Sequence, residues 1–263
     1  MKKKFFLTCL ALACSALMFS CDRNGSDDPD NPDNPGGNGT TGQIVSNAVT
    51  DIDGNHYDAV WIDGKLWMKD NLKTTKFADG TPIELDGESG WTDEVLRFYP
   101  NDDASTVGTY GYLYDWYAVM HGNASSAANP SGVQGICPDG WHVPSKAEWA
   151  QMLDYLCSHN QYQCGAFNNN IAKSLASTTG WESSTNPCAV GNDQSSNNSS
   201  GFSAYPAGIY HAGPLGFGLR ADFWSSTEDG DRAIAQDLQF NSAAVTTDSK
   251  NKTLGYSVRC VRD

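Results

Sequence analysis

The sequence predicts an α+β domain of short antiparallel strands, one main helix and long loops, closed by a disulfide at its end. Three observations carry this. Two Asp-Gly pairs, Asp53-Gly54 and Asp63-Gly64, punctuate runs rich in Val, Ile, Tyr and Trp. A capped amphipathic stretch follows Pro144, and short runs of strand character return from Gly208 to Val261.

The folded part is preceded by two segments of different chemistry. Lys2 to Lys4 stand before an apolar run from Phe5 to Phe19 and then Ser20-Cys21, the order of a secretory signal over residues 1–20. The run is shorter than the roughly 20 residues a membrane span needs. Ser20 supplies the small residue expected before a bacterial lipoprotein cysteine, so cleavage before Cys21 and lipidation of its sulfur are expected, with Cys14 as the competing site. Residues 21–43 are almost wholly Asp, Asn, Pro, Gly, Ser and Thr. Such a segment buries too little apolar surface to offset its chain entropy and reads as a disordered acidic tether. It is either a plain spacer or part of the signal that sends a lipoprotein to the outer face of the outer membrane.

The domain proper spans 44–263. Asp-Gly between strand-like runs is a two-residue hairpin signal, and two such pairs ten residues apart predict a three-stranded meander over 45–70. Asp51-Ile-Asp53-Gly54-Asn55 has a calcium-loop flavour, but its Gly comes too early for an EF-hand and turn chemistry accounts for it. Tyr110 to Val119 reads as a buried strand or the start of a short helix, with Tyr112, Tyr114 and Trp116 filling the core rather than forming a sugar platform.

Ser145 and Glu148 make a capping box, after which Trp149, Met152, Leu153 and Leu156 form one apolar stripe. His142, just upstream, reads as a hydrogen-bonded structural histidine. A second short helix is expected over Ile171 to Ala176. The polar stretch Asn186 to Gly201 reads as a long loop, the kind of segment where binding sites usually sit. Its Asp193, Asn197 and Asn198 offer hard oxygen ligands that suit calcium, although Asn and Ser are common in loops of any kind. Strands are expected at Gly208–His211, Asp222–Thr227, Ala233–Phe240 and Tyr256–Val261.

The chain has 17 basic and 31 acidic residues, and loss of the three signal lysines takes the formal charge from −14 to near −17. That balance, with no basic patch, argues against nucleic acid or anionic lipid as a partner. Of eight cysteines, Cys137, Cys157, Cys164, Cys188 and Cys260 remain in the domain, in a compartment that permits disulfides. The expected pairs are Cys137–Cys260 and Cys164–Cys188, with Cys157 left over. No Cys-x-x-Cys supports zinc.

Six ordered motifs carry a resemblance. Gly64-Lys-Leu-Trp-Met-Lys-Asp-Asn-Leu72, the Tyr-Gly-Tyr-Leu-Tyr-Asp-Trp run ending at Trp116, Cys137-Pro-Asp-Gly-Trp-His-Val-Pro-Ser145, Ser200-Gly-Phe-Ser-Ala204, Phe223-Trp-Ser-Ser-Thr-Glu228 and Gly255-Tyr-Ser-Val-Arg-Cys-Val261 together resemble the Fibrobacter succinogenes major paralogous domain, from about residue 47 onward. The resemblance implies a secreted or lipid-anchored bacterial surface protein. That family in turn is similar to the C-type lectin-like fold, whose terminal disulfide joins the start of a helical region to the last strand, as Cys137 and Cys260 would. The calcium–sugar triplets of sugar-binding lectins are absent, and Trp224 with Glu228 is a loose echo of one. Gly140 to Trp149 and Val258 to Val261 are also similar to formylglycine-generating enzymes, but the cysteine pair of those oxidases is not present, since Cys260 is the one cysteine after Cys188.

The leading expectation is a non-enzymatic surface module that binds a glycan or a surface protein through the Asn186–Gly201 region and neighbouring aromatics. The residues expected at such a site are Trp181, Asp193, Asn197, Asn198, Trp224 and Glu228, with calcium as a possible companion. A structural or adhesive subunit of a surface appendage and a polysaccharide-acting enzyme are the other readings.

Overall fold

The computed structural model describes residues 39–86, 95–167 and 169–262. The signal, Cys21 and nearly all of the tether lie outside these residues. In chain order the strands are β1 (Ile44–Thr50), β2 (His56–Ile62), β3 (Lys65–Met68), β4 (Glu84–Leu85), β5 (Leu96–Phe98), β6 (Leu113–Tyr114), β7 (Trp141–His142), β8 (Ile209–Tyr210), β9 (Pro214–Leu215), β10 (Arg220–Asp229), β11 (Arg232–Gln239), β12 (Thr246–Asn251) and β13 (Val261–Arg262). The helices are α1 (Val107–Tyr110), α2 (Trp116–Met120), α3 (Lys146–Ser158) and α4 (Ala172–Leu175). Mixed short antiparallel sheets with one long helix are the α+β class expected.

The predicted meander is β1-β2-β3, extended by β13 and β7 into a five-stranded sheet. Asp63 and Gly64 take φ of 48° and 69°, the left-handed pair that a tight hairpin requires. The turn at Asp53-Gly54 differs from the two-residue expectation, because β1 ends at Thr50 and β2 starts at His56. The reason is Asp51. One of its carboxylate oxygens accepts from the Asp53 and Asn55 N–H groups, and the other accepts from Asn55 Nδ2 and Tyr57 Oη. Four donors on one carboxylate hold a longer loop closed and use up the oxygens a metal would need.

The aromatic run 110–119 resolves into both predicted alternatives in succession, β6 and then α2, with Asp115 capping α2 by accepting the Ala118 N–H. Tyr112, Tyr114 and Trp116 are buried in the core, as expected. α3 carries the full capping box: Ser145 Oγ accepts the Glu148 N–H and the Glu148 carboxylate accepts the Ser145 N–H. His142 bonds Glu148 Oε1 at 2.8 Å.

Strands β10, β11 and β12 form an antiparallel sheet, and β8 pairs with β9 as a separate hairpin. The expected strand at 256–261 is shorter than the sequence pattern implies. Only Val261 and Arg262 join a ladder, while Gly255, Tyr256 and Ser257 bridge singly to Tyr210, Tyr114 and Phe223. This segment stitches neighbouring sheets together, so it has no continuous partner. Two cores flank it, one around Tyr114, Trp224 and Tyr256, the other around Trp67, Trp149, Phe202 and Phe223.

Both expected disulfides are present, Cys137–Cys260 and Cys164–Cys188, and Cys157 is a buried cysteine outside both. Among the described residues, no helix is long and apolar enough to cross a membrane.

Candidate functional site: an aromatic shelf beside the long loop

Of the large apolar side chains exposed among the described residues, Ile44, Ile52 and Phe167 stand apart in the chain, while Leu215 and Leu219 share the β8–β9 hairpin and the turn after it. Leu215 and Leu219 are 54% and 39% exposed. Phe217 between them is half-buried, as are Tyr205 and Tyr110. The Tyr110 ring lies 4.7 Å from Phe217 and 6.0 Å from Tyr205, edge-on to both.

Glycines let this surface form. Gly208 has φ +71°, and a Cβ there would meet Leu215 O at 2.7 Å and Phe217 N at 2.8 Å. Any larger residue would push the hairpin apart. Gly180 has φ +91° and lies under the Tyr110 hydroxyl and Pro206. The turn is pinned because the Leu219 and Arg220 N–H groups both donate to Gly216 O, and Gly218 N–H donates to Pro206 O.

The shelf is wired to the long polar loop. Glu182 N–H donates to Gly218 O, and Gln194 clasps Trp181 by accepting its main-chain N–H and donating to its carbonyl. Burial, with Tyr205 beside it, raises the Tyr110 hydroxyl above its ordinary value, so it stays a neutral donor and acceptor at physiological pH. Half-exposed rings with phenolic tips combine apolar contact with a few polar anchors, which is the chemistry of recognition.

The residues expected at a site fall elsewhere. Trp224 is fully buried, donates Nε1–H to Tyr114 O at 2.8 Å, and stacks on Tyr256 at 4.5 Å. Trp181 is 5% exposed and donates Nε1–H to Ser177 Oγ. The two tryptophans belong to different cores and share no surface. Both indoles were better spent on burial, since large rings dominate interiors. Glu228 is exposed and pairs with Lys252 at 2.9 Å, while Lys252 sits over the Trp116 ring.

Asp193, Asn197 and Asn198 are neighbours in sequence whose oxygens serve different partners. Asp193 Oδ1 accepts from Ser195 Oγ, and Asn198 Oδ1 accepts the Ser203 N–H. Asn197 is buried and donates Nδ2–H to Ser177 O and Val190 O, while its Oδ1 accepts nothing. A cation from α4 reaches into this loop: Lys173 Nζ donates to the main-chain oxygens of Asn192 and Asp193. Among the described residues, no three His, Cys, Asp or Glu side chains gather at a metal-sized point.

The shelf left a trace in the sequence that composition alone obscures. Pro214-Leu-Gly-Phe-Gly-Leu219 sets apolar side chains on the two-residue strand β9 and the glycine-rich turn after it, too short an element to bury them.

Fold and site together define a disulfide-closed α+β domain that presents an aromatic surface next to a long, internally bonded loop. The family model of the Fibrobacter succinogenes major domain matches residues 60–262. The chain therefore belongs to that family, as its six motifs implied. No curated protein and no solved structure matches the chain.

Proposed function

We propose that this chain is a lipid-anchored protein of the outer membrane, exposed at the cell surface, whose domain has a C-type lectin-like fold and binds a glycan or protein ligand without catalysing a reaction. Cys21 and the acidic tether would hold the domain away from the membrane. The fold reading draws on the Cys137–Cys260 bridge, which joins the approach to α3 with the last strand. The observation that carries the binding reading is the shelf of Tyr110, Tyr205, Phe217, Leu215 and Leu219. Surface apolar residues scattered singly are ordinary, whereas a group of them on a tight, glycine-built hairpin marks a contact face.

A glycan array and a pull-down from surface extracts, each run with calcium and with chelator, test this reading. Tyr110→Ala and Phe217→Ala are expected to weaken the captured ligand by about tenfold or more, the usual effect of truncating an aromatic anchor. Undiminished binding by both variants would remove the shelf from the site.

A further inference from the structure

Beneath the shelf, Asp222 of β10 and Asp237 of β11 face each other directly in register. Both bind one guanidinium. Arg220 Nη2 lies 2.6 Å from Asp222 Oδ1 and 2.6 Å from Asp237 Oδ2, and Arg220 Nε donates to Asp222 Oδ2 at 2.7 Å. Asp222 is fully buried, Asp237 is 5% exposed, and Asp237 Oδ1 is buried and accepts no hydrogen bond.

A single guanidinium cannot neutralise two carboxylates, and like charges directly opposite across antiparallel strands repel. The other nearby cation is Lys250 of β12, whose pull on the Asp222 carboxyl ranks below the effects of Arg220 and Asp237. Lys250 and Asp248 of β12 pair with each other at 2.6 Å, and Gln239 donates to Asp237 Oδ2 at 3.2 Å. Burial, with Asp222 next among its causes, keeps the Tyr256 hydroxyl far above its ordinary value and hence neutral. A proton on the pair removes the excess charge.

We propose that Asp222 and Asp237 hold one proton between them in the folded protein, and that this pair with Arg220 is a pH-sensitive latch on the hairpin that carries the shelf. Arg220 is the mechanical link. Its main-chain N–H donates to Gly216 O, its main-chain oxygen accepts the Gly208 N–H, and its Cδ and Cγ pack under Gly216. With one proton bound, the cluster is an acid, a carboxylate and a guanidinium, and the guanidinium is gripped from both sides. Loss of that proton leaves a net negative charge that splays the carboxylates, and the turn from Gly216 to Arg220 loosens.

The direction agrees with the chemistry of the site. Burial is the largest influence on Asp222 and pushes its carboxyl up to about 7; Arg220 opposes that and Asp237 adds to it. A folded value above the unfolded 3.8 means that the latch contribution is complete below that unfolded value. It is lost as pH rises through about 7. The proton assignment stands on the cluster alone, and its effect on ligand rests on the shelf being the binding face.

Carboxyl 13C NMR titration of the purified protein tests the proton, and amide exchange over residues 208–219, corrected for intrinsic base catalysis, tests the latch. One carboxyl of the pair is expected to titrate near neutrality, Asp237→Asn to move the Asp222 midpoint downward, and exchange to accelerate above that midpoint in wild type but not in Asp222→Asn. Titration of both wild-type carboxyls in the ordinary acidic range overturns the shared proton, a result that needs no variant to fold. Exchange that ignores the midpoint overturns the latch. If the pair titrates and the hairpin responds, but ligand capture is indifferent to Phe217→Ala, the latch stands and the shelf reading fails.

Discussion

Arg259 shows how one residue can join distant motifs. It is fully buried, and its guanidinium donates to Asn71 Oδ1, Phe202 O and Ser203 O while lying 4.2 Å from the Phe202 ring centroid. Three motifs that sequence shows only as separate strings are thus one structural joint. Burial pulls the Arg259 guanidinium down to about 9, since carbonyl and amide oxygens replace the carboxylate that usually accompanies a buried cation. Lysine has no planar fork to reach three acceptors. Arg259→Lys is therefore expected to cost about 3 kcal/mol, the penalty of leaving buried carbonyls without donors, read as a lower urea midpoint. A stability within error of wild type would show that the joint is not held by the guanidinium.

At the scale of elements, the start of α3 concentrates more bonds than any capping box requires. Glu148 Oε1 bonds His142 and Lys65, at 2.8 Å and 3.1 Å, and Oε2 accepts the Ser145 and Ser131 N–H groups. One carboxylate therefore fixes the helix to β3, to β7 and to the segment before β7. Burial alone would push the Glu148 carboxyl up, yet the His142 bond and charge, the Ser145 N–H and Lys65 hold it below its ordinary value. A depressed acid stabilises the fold above its unfolded value of 4.5, and that contribution is lost as pH falls through the folded value. Glu148→Gln is expected to cost about 3 kcal/mol near pH 7 and to flatten the acid limb of a stability–pH profile. Ser145→Ala, which removes the cap and the Oγ–H bond to Ala128 O, is expected to cost about 1–2 kcal/mol by chemical denaturation. If the two variants were equally destabilised, Glu148 would be no more than a cap partner.

Elements differed in how well the sequence announced them. α3 was legible because capping, periodicity and length agree within one local window. The Asp63-Gly64 hairpin was legible because two positive φ angles demand particular residues. The turn at Asp53-Gly54 was misjudged in length, since its conformation depends on a carboxylate two residues upstream that a dipeptide signal does not include. The site was less legible than the fold. Trp181 and Trp224 look alike in sequence to exposed binding residues, and their burial follows from which sheets close over them. Tyr110 and Phe217 meet across more than a hundred residues, a distance at which no local pattern operates.

At the scale of the molecule, the two disulfides act on loops of different size. Cys137–Cys260 spans a sequence separation of 123 and Cys164–Cys188 one of 24. On the chain-entropy argument these contribute about 5 and about 3.5 kcal/mol. Paired serine substitutions are expected to lower the unfolding midpoint in that order, measured by calorimetry. Reversal of the order would place the stabilisation in the folded state rather than in the unfolded chain. Cys157, outside both disulfides, is buried at the end of α3, so alkylation should require unfolding, which offers an independent readout of both variants.

The sequence by itself determined the signal-like start, the acidic tether composition, the α+β class, the main helix and the family, because each is written in local spacing or in ordered motifs. Only the tertiary structure decided which aromatics are core and which form the shelf, which cysteines pair, that Lys173 of α4 reaches the long loop, and that Asp222 and Asp237 share Arg220. Burial and charge pairing are properties of what packs against a side chain, and those neighbours come from strands far apart in the chain.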